Sequence, residues 1–136
     1  MGENRLFTVT ELAKDLGMTA RAIRFYEDKG LITPQRAGTT RVYSARDRAR
    51  MILIQRGKRL GFSLSTIKDY LDLYNADVTH RAQRQLLLVS VSKRREQLLA
   101  QRHAIDEALS ELAEIAAQTE AALKTPSARP KRAASG

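Results

Sequence analysis

The chain reads as a mainly α protein, a winged helix-turn-helix head with a small β-hairpin wing followed by one long helix. Three observations lead there. Two short apolar-periodic segments, Phe7 to Leu16 and Thr19 to Leu31, are separated only by Gly17 and Met18. A stretch punctuated by Pro34 and Gly38 runs from Ile32 to Tyr43. From about Asp77 to Lys124 neither Pro nor Gly occurs, and the span is rich in Leu, Ala, Gln, Glu and Arg. The boundaries that follow are 1–76 for the head, 77–125 for the long helix and 126–136 for a tail.

Composition narrows what such a chain can do. With 136 residues, 43% of them apolar, it holds one compact domain plus an extension. No run is long and apolar enough for a membrane span, and the N-terminus MGENRLFTVTE lacks the apolar core of a signal peptide, so a cytoplasmic protein with no membrane partner is expected. The absence of Cys excludes disulfides, thiolate metal sites and thiol switches in this chain. A net charge of +9 favours a polyanionic partner. Residues 1–60 carry 13 Lys/Arg against 6 Asp/Glu, whereas 76–125 balance at 7 against 7. The basic excess therefore lies in the head and the tail, and the long helix calls for another kind of partner.

In FTVTELAKDL, Val9, Leu12, Ala13 and Leu16 recur at helical spacing, with Thr10 preceding the helix. Gly17-Met18 breaks the period and Thr19 caps the next helix, which is helix-turn-helix spacing. In TARAIRFYEDKGL, Ile23 and Glu27 mark successive turns, and Gly30 suits the left-handed residue past the end. Arg21, Arg24 and Tyr26 are left to face outward or to the side, where guanidinium groups and a phenol reach base edges and phosphates. Taken alone, the segment is equally an amphipathic helix with a solvated basic face. In a helix-turn-helix the first helix braces and the second enters the major groove of DNA. Thr10, Thr19, Ala20, Arg21 and Arg24 are then the groove-side candidates, while Ala13, Leu16, Ile23 and Leu31 belong to the core.

From Ile32 to Tyr43, Pro34 excludes helix and Gly38 can supply a tight turn between two short extended arms. Arg36, Arg41 and Tyr43 on such a hairpin suit a wing along the phosphate backbone; in isolation they would be solvated residues on a surface loop. Ser44 opens a third helix with Asp47 as its capping-box partner, and Met51, Ile52, Ile54 and Leu60 are expected to form its apolar side. Gly61 ends it. Ser63 starts a fourth, with Leu64, Ile67, Tyr70, Leu71 and Tyr74 as a core-facing stripe. Lys58 and Arg59 at this junction can join Ser63 and Ser65 in holding a phosphate, and they also complement a helix C-terminus.

The long segment places Leu88, Val91, Leu98, Ile105, Leu109, Leu112, Ala116 and Leu123 on one seam, interrupted by Arg95 and Arg102. At 1.5 Å per residue a helix from about 80 to 124 reaches on the order of 65 Å. A stripe of that length outruns one small head, which points to a homodimer through a coiled coil whose strand orientation the spacing leaves open. Folding back on the head is the competing arrangement, made less attractive by Arg94 and Arg95. After Thr125 the composition, PSARPKRAASG, is small, polar and basic, and a disordered tail is expected.

Thr10-Glu11-Leu12-Ala13, Arg24-Phe25-Tyr26-Glu27 followed by Gly30-Leu31, Arg41-Val42-Tyr43 and Gly61-Phe62-Ser63-Leu64, in this order and spacing, resemble the MerR family of bacterial transcriptional regulators over residues 7–75. The resemblance implies a winged-helix head and a long helix pairing as an antiparallel coiled coil across a homodimer. It also implies binding to a pseudo-palindromic promoter site and distortion of that DNA, through which RNA polymerase is affected indirectly. By position it assigns Arg21, Arg24 and Tyr26 to the recognition helix, Arg36, Arg41 and Tyr43 to the wing, and Lys58 to a second backbone contact. Phe25 stands where many members have Tyr, which removes one hydroxyl.

Metal and redox sensors of the family use Cys near the ends of the dimer helix, where this chain offers only His80 and His103. Thiolate metal sensing is excluded, and the two His, far apart in sequence, are assigned to solvent rather than to a metal. Drug-sensing members append a large ligand domain, whereas this chain ends shortly after its long helix. The cysteine-free form with RAIRFYEDKGL, RVYSARDR and RGKRLGFSL looks most like regulators of leucine, isovalerate and related acyl catabolism. That implies amino-acid or acyl-CoA catabolism genes as targets. A small-molecule effector such as an acyl-CoA would use the dimer interface or the head–helix junction, with no residue assigned. No cofactor is expected. No Ser/His/Asp arrangement, phosphate loop or metal cluster at meaningful spacing points to an enzyme. The alternative from another class is a DNA-architectural or adaptor protein without sequence specificity.

Overall fold

The computed structural model describes residues 5–75 and 80–126. The predicted boundary at 76/77 and all of the predicted tail beyond Pro126 lie outside the described residues. The elements follow in the order α1 Val9–Leu16, α2 Ala20–Asp28, β1 Gln35–Ala37, β2 Thr40–Val42, α3 Ala45–Leu60, α4 Leu64–Asp72 and α5 Arg81–Lys124. The chain divides into two compact units, one running to Arg94 and one beginning at Arg95.

Local chemistry sets most element ends. The N-cap of the first helix lies two residues before the predicted Thr10. Thr8 is the N-cap, its hydroxyl accepting from the Glu11 amide at 3.1 Å while the Glu11 carboxylate accepts from the Thr8 amide at 2.9 Å. Thr10 therefore lies in the first turn. Of the two threonines only Thr8 has an acid three residues on to close a capping box; three residues after Thr10 stands Ala13. Gly17 ends α1 in the left-handed region (φ 66°), as a residue without Cβ can at little cost. Thr19 caps α2 as expected, accepting from the Ala22 amide at 3.0 Å. Ser44 and Asp47 form the predicted capping box of α3, and Ser63 caps α4.

The two strands pair antiparallel with Arg36 opposite Arg41 and Ala37 opposite Thr40, turning through Gly38 and Thr39. Phe7 extends the wing. Its amide and carbonyl exchange 2.8 Å hydrogen bonds with those of Tyr43, so the chain just before α1 pairs with the residue just after β2.

The core gathers Leu12, Ile23, Tyr26, Met51, Ile54, Ile67 and Leu71 from the four helices of the head, with Leu31, Ile32 and Tyr43 from the segments that flank the hairpin. The buried side of α3 is Asp47, Met51, Ile54 and Gly57, at three- and four-residue spacing. Ile52 and Leu60, predicted on that side, are exposed, because Ile52 lies about 100° around the helix from Met51. Gly57 lets α4 close on α3, since a Cβ there would stand 2.9 Å from the Ile67 side chain. In α4, Ile67 and Leu71 are buried, but Tyr74 lies beyond the helix end and is exposed, which shortens the predicted stripe. Polar side chains of α3 grip the helix-turn-helix: Arg48 pairs with Asp15 at 2.6 Å, Gln55 donates to the Leu16 carbonyl at 2.9 Å, and Arg50 donates twice to the Leu31 carbonyl.

The start of α5 is fastened to the same unit. Gln83 donates to Asp69 and Asp72, each at 2.8 Å, Leu87 is buried, and Arg94 Nε donates to the Leu60 carbonyl at 2.7 Å. These three residues recur at helical spacing on one face. Arg94, read from the sequence as weighing against contact with the head, supplies such a contact: its guanidinium satisfies a carbonyl left open at the end of α3. In the second unit Ile105, Leu109, Leu112, Ala116 and Leu123 are all exposed. Leu88, Val91 and Leu98 of the predicted seam are exposed as well.

Candidate nucleic-acid interface

The second helix presents two chemistries on opposite sides. Ile23 and Tyr26, three residues apart, are buried, while Arg21, Arg24 and Phe25 are exposed. Tyr26, predicted to face outward, is only 6% exposed. It shares a face with Ile23, and its ring packs edge-on to Phe25 with centroids 5.3 Å apart. Ala20 is half-buried at the first helical position, and Thr19 and Thr10 are exposed.

The wing is locked to this helix through one carboxylate. Glu27 accepts from Arg41 Nε at 3.0 and 3.2 Å and from the Tyr43 hydroxyl at 3.3 Å. Tyr43 is fully buried, so the hydroxyl predicted for the DNA side is turned inward to Glu27. A tyrosine ring gains more from burial than its hydroxyl loses once that hydroxyl has a partner. Burial, followed by the charge of Glu27 and the hydrogen bond to it, pushes the Tyr43 phenol up from 10.0 to about 12, while Arg41 and Arg24 pull the other way. The neutral phenol therefore contributes its full stability below about pH 10 and loses it as pH rises to about 12. Tyr43→Phe flattens that part of the profile. Urea unfolding from pH 9 to 12 checks it, and curves that stay parallel would show that Tyr43 does not titrate in this window.

Arg36 is exposed on β1, its Nη1 lying 3.5 Å from the Thr39 carbonyl. At the turn between α3 and α4, Lys58 and Arg59 are exposed in the last turn of α3. The Ser63 hydroxyl accepts from the Thr66 amide at 3.1 Å and donates to Thr66 Oγ1 at 3.0 Å, which commits its proton to the cap. Arg94 reaches this turn from α5. Sequence reasoning assigned Glu27, Gln83, Leu87 and Arg94 no part in the site. Glu27 carried a usable signal, an acid among outward-facing arginines on a proposed recognition helix.

Among the described residues no group of three or more His, Cys, Asp or Glu could hold a metal ion. His103 lies 3.5 Å from Glu107, one turn along α5. Among the described residues no helix is long and apolar enough to cross a membrane.

The head is thus a winged helix-turn-helix with a basic outer surface. The family described as "MerR HTH family regulatory protein" matches residues 7–73, and the one described as "MerR, DNA binding" matches residues 48–115, half of the chain. The chain belongs to the MerR family of helix-turn-helix regulators. Among curated proteins it is similar to the HTH-type transcriptional regulator CueR of Salmonella typhi, 33% identical over 76 residues that cover 54% of this chain and 55% of that one. It is also similar to the HTH-type transcriptional regulator HmrR of Rhizobium leguminosarum bv. viciae, 38% identical over 85 residues that cover 57% of this chain and 66% of that one. The chain spans about half to two thirds of the length of these relatives.

Among solved structures, a MerR family transcriptional regulator from Bacillus cereus aligns with TM-score 0.60 and 27% identity, covering 92% of this chain and 88% of that one. HiNmlR, a MerR family regulator lacking the sensor domain and solved bound to promoter DNA, aligns with TM-score 0.61 and 22% identity, covering 89% of this chain and 92% of that one. At that identity it shows the shared fold.

Proposed function

We propose that the protein is a cytoplasmic, homodimeric transcriptional regulator, not an enzyme, that binds a pseudo-palindromic promoter site and acts on RNA polymerase indirectly by distorting the DNA. The observation that carries this reading is the division of α2, with Ile23 and Tyr26 seated in the core and Arg21 and Arg24 held outward on a rigid helix beside a basic wing. A recognition helix needs that division, because its arginines can discriminate bases only when the backbone behind them is fixed. Thr10, Thr19, Ala20, Arg36 and Arg41 border the same surface, and Lys58 and Arg59 supply a second backbone contact beside the helix that Ser63 caps. Tyr26 and Tyr43 support it from inside.

The exposed seam of α5, Leu88 through Leu123, is the proposed dimer interface, paired antiparallel as the family resemblance implies. The division of labour is a DNA-binding head through residue 76, a dimerisation helix over 77–125 and a basic tail from 126. Regulation of amino-acid or acyl-CoA catabolism, with an acyl-CoA as effector, rests on the likeness of RAIRFYEDKGL, RVYSARDR and RGKRLGFSL to such regulators and on the absence of Cys from this chain.

Selection from a random duplex pool, followed by competition between the recovered site and random DNA, tests the reading. Specific regulators prefer their site by roughly 10³-fold or more at physiological salt. Equal competition with the same salt slope would overturn the regulator in favour of a DNA-architectural protein.

A further inference from the structure

We infer that Glu27 is a positioning residue for DNA: by holding the inner edge of Arg41, it fixes the wing against α2 and aims Arg41 with Arg36 at one backbone phosphate. The inference rests on the DNA-binding reading above and assigns a role to a carboxylate within it.

Four observations carry it. Glu27 is mostly buried, its side chain 16% exposed, and it is held in the last turn of α2. Arg41 spends only its Nε on Glu27 and stays 33% exposed, so the two terminal nitrogens at the outer edge of the guanidinium make no hydrogen bond among the described residues. Arg36 and Arg41 stand directly opposite each other across the hairpin, which puts both side chains on one face. The Tyr43 hydroxyl closes the other side of the carboxylate, and the ring behind it is fully buried.

Two cations facing each other across a strand pair repel unless something negative lies between or in front of them. Glu27 neutralises Arg41 from behind. What remains in front is the outer edge of Arg41 with the exposed Arg36 opposite it, whose Nη1 also reaches the Thr39 carbonyl, and two such guanidinium groups suit a phosphate oxygen. Without Glu27 the hairpin loses its only ionic tie to α2 among the described residues, and Arg41 is free to swing from Arg36.

This assignment reverses the sign that charge alone predicts. Removing an acid from the DNA side of a protein with net charge +9 should tighten binding to any duplex. If Glu27 positions Arg41, Glu27→Gln weakens it instead. One backbone contact changes the slope of log affinity against log salt by about 0.9, which is roughly tenfold in affinity at 0.1 M salt. The full chain is titrated with a random-sequence duplex from 0.05 to 0.3 M salt, because a phosphate contact is present on any sequence. The expected result is a loss of about tenfold per head at 0.1 M and a slope shallower by about one per head. A variant destabilised but still folded at the assay temperature would keep the wild-type slope, so the slope separates positioning from general stability.

A cycle with Arg41→Ala supplies the second measurement. Once Arg41 is gone, Glu27→Gln should cost nothing further. Tighter or unchanged binding by Glu27→Gln alone, or an equal loss with and without Arg41, overturns the proposal. Failure of the wild-type chain to bind duplex at any of these salts overturns the DNA-binding reading itself.

Discussion

Ile105→Asp combined with Leu109→Asp yields monomers with a folded head, seen as a halved mass in sedimentation equilibrium and an unchanged melting transition of the head. Both positions lie far from the head in sequence and are 58% and 59% exposed on the single chain, so neither supports the fold of one protomer. In a coiled coil the same side chains leave water, each contributing about 1.5–3 kcal/mol, and an aspartate there is an unpaired charge costing about 3–5 kcal/mol. With two substitutions in each chain, dimer affinity falls by well over a thousandfold, since each 1.4 kcal/mol is tenfold. Affinity for the selected promoter site falls with it, because two heads no longer share one binding event. The paired readouts discriminate. A dimer that survives both aspartates refutes the seam, and a monomer that keeps full site affinity refutes the link between pairing and recognition. Double substitution of the exposed Leu86 and Val89, outside the predicted seam, is the matched control.

What could be read from sequence divides by distance along the chain. Ser44 with Asp47, Thr19 with Ala22, and Gly17 and Gly61 at helix ends were legible because capping is settled within three or four residues. Even there the cap of α1 is Thr8, which has an acid at the right offset, and not the predicted Thr10. Burial was legible where apolar residues share a helical face, as with Met51 and Ile54, and misjudged for Ile52, which is as apolar but faces elsewhere. Tyrosine exposed the deeper limit. Whether its hydroxyl points to water or into the core depends on a partner, and the partner of Tyr43 is Glu27, sixteen residues away. Arg94 and the Leu60 carbonyl are separated by 34 residues, so their contact exists only once α3, α4 and α5 have packed. The arginines of the proposed DNA surface were found by charge and spacing. The groups that orient them depend on tertiary packing.

Arg24→Ala is expected to cost the most affinity of any single change on that surface while leaving the dimer and the melting transition intact. Arg24 is exposed, one turn before Glu27 on α2, and close enough to the wing for its charge to act on Tyr43. Alanine is at least as good a helix former as arginine, so an exposed site in the helix interior absorbs the change with little effect on stability. Loss of a bidentate base contact costs about 1–3 kcal/mol per head, up to roughly a hundredfold in each half-site. The form of the loss decides what Arg24 does. If it reads a base, binding to the selected site falls, binding to random duplex falls far less, and a fresh selection with the variant relaxes at one position in each half-site. If it holds a phosphate, both affinities fall together and the salt slope becomes shallower by about one per head. Unchanged binding to both duplexes would remove Arg24 from the interface and shift recognition to Arg21, three residues earlier on the same helix.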